Sequence, residues 1–491
     1  MARPHRSPPN HDPAGWLIAL MVLGSLWLTG CGSPVAANAI IVQSAGVPPG
    51  AVSSTELSAW YPLLNSHPWP GEMLLAAAPV AQQPIRLVVT GYDTTEAEYF
   101  QMLLAAAESG RAPDVAYLST SDNIRRAVAT GLVAPLNDCR ATYPAFEPVR
   151  NEMWLRVTGH GETWAVPVAM SSNILFYDKE KLRALGWSAA EINSLPARVA
   201  TGTFTWSDLR DTAADALAAD VVRPGYGFSQ TPADHTRITS HYMAYGGRIY
   251  DPTRDRLVID RAALVQAYAF RRDLLADDLT LPFVLDGAQN TWSARALWHD
   301  AIAHSTVLFW IGRSTDWEKW QAIAAGVGGG APAQADATGE RWGLARVPSA
   351  VPGQPPRLVE ASASYFVILN ERATGRQNQH AACALLAAAI TPAINGPTVA
   401  GSGWFAVVDA AGHDMVGQQA DEAVHLLDAA GALLDGTAVM PSVVDHDLSL
   451  YEDVLTEFAQ QAQTGQMTPD EAAAAAVRQL RLALGDDLIV E

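Results

Sequence analysis

The sequence predicts an α/β fold, because apolar strand-like runs alternate with amphipathic helices along a chain of 491 residues, too long for one compact core. Residues 85–90 (IRLVVT) read as a strand buried on both faces. A helix follows over 94–110, with Phe100, Leu103, Leu104 and Ala107 on one face and Gly110 at its end. Residues 112–119 (APDVAYLS) give a turn and a second strand, and Ser121 or Asp122 can cap a helix that stops at Gly131. This rhythm predicts a largely parallel sheet. Ligands sit past the carboxyl ends of such strands, which marks Ser119 to Asp122 as a cleft position.

The other elements follow in order. Residues 57–64, with Trp60 and Tyr61, read as the first strand and its loop, and 72–80 as a short helix. Residues 164–179 (WAVPVAMSSNILFYDK) form an extended apolar run whose middle holds Ser171, Ser172 and Asn173, where a purely structural strand prefers branched apolar residues. Pro167 suits the start or edge of that strand. A short helix is expected over 180–186, and one capped by Thr205 running to Ala218. Short elements surround Tyr245-Gly246-Gly247, helices are expected over 262–276 and 293–303, and residues 306–311 (TVLFWI) read as a strand. The Gly/Ala-rich stretch 326–338 reads as a flexible insertion, 365–369 as a strand, and 379–389 as an Ala-rich buried helix. Helices over 448–463 and 468–484 close the chain, the last with Thr468-Pro469-Asp470-Glu471 as N-cap, N1 proline and acidic first turn.

The N-terminus reads as an address. Arg3 and Arg6 precede an apolar run of thirteen residues, Trp16 to Leu28. That is short of the roughly 20 needed to span a bilayer and suits a secretory signal. Leu28-Thr29-Gly30-Cys31 is similar to the bacterial lipobox, which makes Cys31 the expected lipidation site. The division expected is 1–30 signal peptide and 31–52 lipidated flexible tether. Residues 1–30 hold Arg3, Arg6 and Asp12, a net +1, so the whole chain's -19 becomes -20 in the remainder. Such a balance argues against nucleic acid or anionic lipid as a partner bound through charge. Cys139 and Cys383 are then the remaining cysteines, as separate thiols or as a pair. Metal-helix, nucleophile-elbow and phosphate-loop motifs are absent from the sequence, and Asp445-His446-Asp447 reads as a solvated loop.

Fragments in order carry a family resemblance. After the lipobox come IRLVVT, APDVAYL with ATGLVAPLND, WAVPVAMSSNILFYDK, FTWSDL, YMAYGGRIYD, ALWHDAIAHSTVLFWIG, RWGLARVPS and TGQMTPDEAAAAAVRQL. Together they resemble the extracellular solute-binding proteins of ABC importers, in the maltose-binding-protein-like group that binds sugars and oligosaccharides. The resemblance implies a two-lobe periplasmic-binding-protein-like fold with discontinuous lobes joined by a multi-strand hinge. It places lobe 1 at 53–168 and 365–435 and lobe 2 at 169–364 and 436–491, with crossings near 168–173, 360–365 and 436–441. It implies a monomer without cofactor, tethered extracytoplasmically by its lipid, that hands a sugar-like ligand to permease subunits.

Sugars are held by aromatic faces and by planar polar groups that pair with hydroxyls. The expected ligand-binding residues are therefore Trp60, Ser119, Asp122, Ser171, Asn173, Tyr245, Trp310 and Trp404, with Tyr451 and Glu360 as outer candidates. Trp310 falls at the family position that often stacks on the sugar. Where oligosaccharide binders often carry a carboxylate early in the crossing, this chain has serine, and Asp178 replaces the usual asparagine before Lys179. Two other readings stay open: a secreted lipid-anchored carbohydrate-active enzyme, since 51 acidic residues allow many carboxylate pairs, and a degenerate binding protein serving a sensor.

Overall fold

Three parallel strands form the first part of the sheet. β1 (Thr55–Pro62) lies between β2 (Ile85–Tyr92) and β3 (Val115–Leu118), parallel to both. Helices α1 (Trp69–Ala77) and α2 (Glu96–Glu108) connect them, and α3 (Ser121–Ala129) follows β3. The computed structural model describes residues 54–63, 68–230, 236–281, 287–324, 341–356, 360–400, 404–407 and 442–491, with a short strand at Ala39–Gln43. The chain divides into a unit of residues 1–40 and a unit of residues 41–491, and the fold is that of the second. The targeting segment, Cys31, most of the tether, the 326–338 insertion and the 436–441 crossing lie outside the described residues.

Local chemistry explains these elements. Thr95 caps α2 in a reciprocal box with Glu98. α3 is capped by Thr120, whose hydroxyl accepts the Asn123 N–H at 3.2 Å, rather than by Ser121 or Asp122. The hydroxyl lies one residue earlier, where the backbone is still extended. β2 alternates between buried and more exposed residues, so its branched run reflects strand propensity, not burial on both faces. Asp114 of the APD motif is 2% exposed and structural. Its carboxylate accepts the Ser58 N–H at 2.8 Å and the Asn378 amide at 3.1 Å, and pairs with Arg376 at 3.0 Å. It thereby ties Ser58 of β1 to Arg376, 318 residues further on, through a buried carboxylate whose cationic partner is 42% exposed.

The chain then enters β4 (Val166–Asp178), thirteen residues that are all buried. After it come β5 (Phe228–Gln230), β6 (Phe309–Arg313), β7 (Trp342–Ala345), β8 (Glu360–Ile368) and β9 (Phe405–Ala406). The order is β2-β1-β3-β8-β4-β6-β5, with β7 and β9 also on β4. The first half of β4 pairs with β8 and β9, and from Asn173 onward its partners are β6 and β7, all antiparallel. The sheet is therefore mixed, not largely parallel, because the crossing strands return against the direction of the ones they join. Opposite Pro167, which has no N–H to donate, β8 shifts register between Ser364 and Tyr365.

Beyond the change of partners along β4 both faces of the sheet are covered. Leu175, Tyr177, Phe309 and Ile311 enter one core with Leu182, Ile192, Leu195, Trp206 and Leu209. Phe176 and Trp310, the alternate residues, enter the other. Helix α4 (Trp206–Ala218) starts with the expected Thr205 cap and a box with Asp208, and α5 (Thr236–Ala244) and α6 (Arg261–Ala276) follow. Asp178 caps the helix Lys179–Ala184 by accepting the Glu180 and Lys181 N–H groups. The Ala-rich helix α7 (Gln379–Ala389) is buried from Ala381 to its end. Cys383 on α7 is joined by a disulfide to Cys139, with Cα atoms 5.6 Å apart across 244 residues of chain. The pairing that the sequence leaves open is thus made. Helices α8 (Leu448–Gln463) and α9 (Pro469–Leu484) match the expected bounds, the last with a box between Thr468 and Glu471.

Candidate ligand-binding site

The carboxyl ends of β1, β2 and β3 open onto one edge of the sheet, and aromatic rings stand on both sides of it. Alternation along a strand puts Trp60 and Ala116 on one face and Val115 and Tyr117 on the other. On the first face the half-buried Trp60 packs edge-on against Tyr92, with centroids 5.1 Å apart. The Trp60 carbonyl accepts the Tyr99 hydroxyl at 2.8 Å, which fixes α2 over this corner. On the second face Tyr117 meets Trp69 at 5.6 Å, and Trp69 meets the half-buried Trp404 at 6.0 Å. Each tryptophan is held by a neighbour in a set orientation, as a ring meant to present a face must be.

Polar groups fill the edge between them. Glu96 opens α2, and its Oε1 accepts the Ser119 hydroxyl at 2.5 Å. Desolvation by burial raises the Glu96 carboxyl above its usual range, while the Ser119 hydrogen bond and the nearby Arg313 guanidinium work the other way. Arg313 ends β6, in register with Asn173 of β4, and its N–H donates to Asp316 at 3.0 Å. The Tyr117 hydroxyl donates to Ser364 at 2.6 Å, and burial raises its pKa. Groups from α2, β3, β8 and β6 thus converge where β4 changes partners.

The structure brings together some of the expected residues and separates others. Trp60, Ser119 and Trp404 are half-buried at this edge. Asp122 is partly exposed but committed to ion pairs, at 2.7 Å with Arg125 and 4.0 Å with Arg126. Ser171 and Asn173 are 0% and 1% exposed, and the Asn173 amide donates to Ser240 of α5 at 3.2 Å. Both are enclosed within β4, not open to solvent. Trp310 is 0% exposed, stacked at 5.7 Å on Phe176 and walled by Trp320 and Trp342. No ring face remains for a sugar, because the sheet is covered on both sides here. Tyr245 packs on Phe270 of α6 and takes its raised pKa from burial and from Asp273, which leaves it on the helical layer of α5 and α6. Tyr451 is fully buried and donates to the Val258 carbonyl at 2.7 Å. Asp445-His446-Asp447 is no solvated loop: His446 is buried beside Asp255 at 3.1 Å, and Asp447 caps α8. Glu360 pairs its backbone with Ser172, and its side chain lies outside the described residues.

Glu96, Arg313, Tyr92 and Trp69 were not expected from sequence. An acid in the first turn of a helix that follows a parallel strand was the available signal for Glu96, and it reads equally as a charge favourable to the helix dipole. Among the described residues no group of His, Cys, Asp or Glu could hold a metal ion. The edge is suited to hydrogen bonding and ring stacking.

Among solved structures, the chain is similar to the GacH receptor of Streptomyces glaucescens, solved unliganded and with acarbose, at 17% identity and a TM-score of 0.65 over 88% of this chain and 99% of that one. It is also similar to the cyclic α-maltosyl-1,6-maltose binding protein of Arthrobacter globiformis, at 17% and 0.64 over 88% and 99%. Maltose-bound MalE3 of T. maritima matches at 16% and 0.64 over 88% and 100%. Identities this low establish likeness of fold, the two-lobe periplasmic binding fold. No curated protein sequence matches the chain. The profile of the family described as "Bacterial extracellular solute-binding protein" matches residues 85–396, from β2 through α7, and the chain belongs to that family.

Proposed function

We propose that this protein captures a sugar or oligosaccharide between two lobes and delivers it to an ABC permease, tethered extracytoplasmically through a lipid on Cys31 and acting as a monomer. Lobe 1 is 53–168 with 365–435, and lobe 2 is 169–364 with 436–491. The change of partners along β4 at Asn173 supports a crossing at that point. Closure is a hinge motion in which contacts made only in the closed form shift the equilibrium between lobe arrangements. The observation that carries the reading is the edge itself, where Trp60 with Tyr92 and Trp69 with Trp404 flank the Ser119–Glu96 pair in a chain of the solute-binding family. Trp60 and Trp404 stack on sugar C–H faces, and Ser119 pairs with hydroxyls. The sugars named for the similar structures support a carbohydrate, and the family supports binding without turnover.

Thermal-shift and calorimetric screening against mono- and oligosaccharides tests the reading. A carbohydrate at 100 times its Kd should stabilise the protein by about 2.7 kcal/mol. Stabilisation by a peptide, polyamine or metal chelate, with no response to any carbohydrate, would assign the wrong ligand class.

A further inference from the structure

We propose that residues 442–447 form a clasp between the two lobes, and that the Arg125–Asp447 ion pair across it biases the lobe equilibrium and so tunes ligand affinity. The inference rests on the two-lobe reading and deepens it by naming residues that regulate closure without being among the proposed ligand contacts.

The stretch Ser442-Val443-Val444-Asp445-His446-Asp447 follows the proposed crossing at 436–441. Its first half is seated on the part assigned to lobe 1. The Val443 N–H donates to the Arg156 carbonyl at 2.9 Å. Val444 lies so close over Gly159 that a Cβ there would meet the Val444 Cβ at 2.6 Å. Asp445 Oδ1 accepts the His160 N–H at 3.2 Å and lies 3.2 Å from His160 Nδ1. Gly159 and His160 stand at the tip of a small antiparallel hairpin, Thr158–Gly159 with Glu162–Thr163. The second half is built into the part assigned to lobe 2. His446 Nε2 lies 3.1 Å from Asp255 Oδ1, and its ring meets Tyr250 edge-on at 5.5 Å. Asp447 Oδ1 accepts the Leu450 N–H at 3.1 Å and so caps α8. The chain thus changes sides between Asp445 and His446. The residues that receive it on either side, His160 and Asp255, both hold left-handed backbone, with φ of 54° and 52°. Such conformations persist where the surroundings impose them, as at a fixed joint.

The Arg125–Asp447 pair reaches back across this step. Asp447 Oδ2, the oxygen not used for the cap, lies 3.3 Å from Arg125 Nη2 of α3, in lobe 1. Asp122 aims that guanidinium from its own helix at 2.7 Å. The backbone bond at Val443 and the close packing at Gly159 make a pivot, because neither tolerates sliding. A charge pair just beyond a pivot lengthens or shortens when the lobes turn about it, so its energy differs between the lobe arrangements. An equilibrium responds to that difference and to nothing else. The two side chains are 35% and 30% exposed, so salt screens the pair and its effect is a few-fold.

Calorimetry on the full chain with maltotriose, cellotriose and trehalose tests the proposal in Arg125→Gln, Asp447→Asn and the double variant. Each single variant should move the Kd of a bound sugar about two- to fivefold, both in the same direction. The double variant should move it no further, because the pair acts as a unit. Raising salt from about 0.05 to about 0.5 M should carry the wild type toward the variants and leave Asp447→Asn where it is. Asparagine caps a helix as well as aspartate, so the Asp447→Asn melting temperature should stay near wild type. A merely structural role would move the melting temperature and not the Kd. Unchanged Kd in both single variants, or additive effects in the double, would overturn the clasp and leave the sugar reading standing. If none of the three sugars binds, the sugar reading falls, and small-angle scattering of the free protein decides the clasp. A radius of gyration that shifts the same way in both single variants then supports it, and one shared with wild type overturns it.

Discussion

Reducing the Cys139–Cys383 bridge will lower the stability of the protein by about 2–4 kcal/mol, and loop-closure entropy for a 244-residue loop sets an upper figure of about 5.5 kcal/mol. The bridge joins the helix Asn137–Thr142 to α7, and so holds the returning chain against the part that left it. Tyr143 and His380 pack beside it with ring centroids 6.0 Å apart. Urea unfolding with and without reductant, or of Cys383→Ser, should show a lower midpoint. Both cysteines belong to the proposed lobe 1 and neither is among the proposed ligand-contacting residues, so sugar affinity should be unchanged under native conditions. Equal midpoints would mean that packing of α7 alone holds the return segment.

Trp310→Ala will cost about 3–5 kcal/mol of stability, the range for removing a fully buried large aromatic. Its indole stacks on Phe176 and meets Trp342 edge-on at 5.4 Å, so truncation opens a cavity between two aromatic walls. Trp60→Ala should behave in the opposite way. It removes a half-buried ring that touches Tyr92, and should reduce ligand affinity by tenfold or more, about 1.4 kcal/mol, with a smaller loss of melting temperature. Denaturant titration and calorimetry on the two variants separate the roles. If Trp310→Ala keeps its stability and loses its ligand, the indole is reached by the sugar after a rearrangement that the buried cluster does not suggest.

Local signals were legible at two helix starts in particular. Thr205 and Thr468 cap the helices that the sequence assigns to them, because a hydroxyl three residues before an acid satisfies backbone donors at short range. The Ala-rich α7 and the extended strand within 164–179 were legible for a similar reason, since composition and one proline limit what those stretches can do. Placement across the sheet was not. Phe309, Trp310 and Ile311 read as one apolar run, and a strand buried on both faces has no polar side to orient it. Trp310 therefore looks equally fit for a core or a cleft until its neighbours are known. Asn173 is enclosed rather than open, because Ser240, sixty-seven residues later, lies against it. Arg313 acts on the Glu96 carboxyl only through the topology, one lying after β2 and one at the end of β6, and no spacing in sequence links them. The disulfide was open for the same reason.

The central claim is that two halves joined through β4 and β8 close on a sugar or oligosaccharide. Small-angle scattering of the protein, free and saturated with whichever sugar stabilises it, tests this most directly. Closure predicts a smaller radius of gyration in the saturated protein, by an amount that follows occupancy as sugar is added. Full occupancy by calorimetry with an unchanged radius would contradict it and make the edge a surface site on a rigid body.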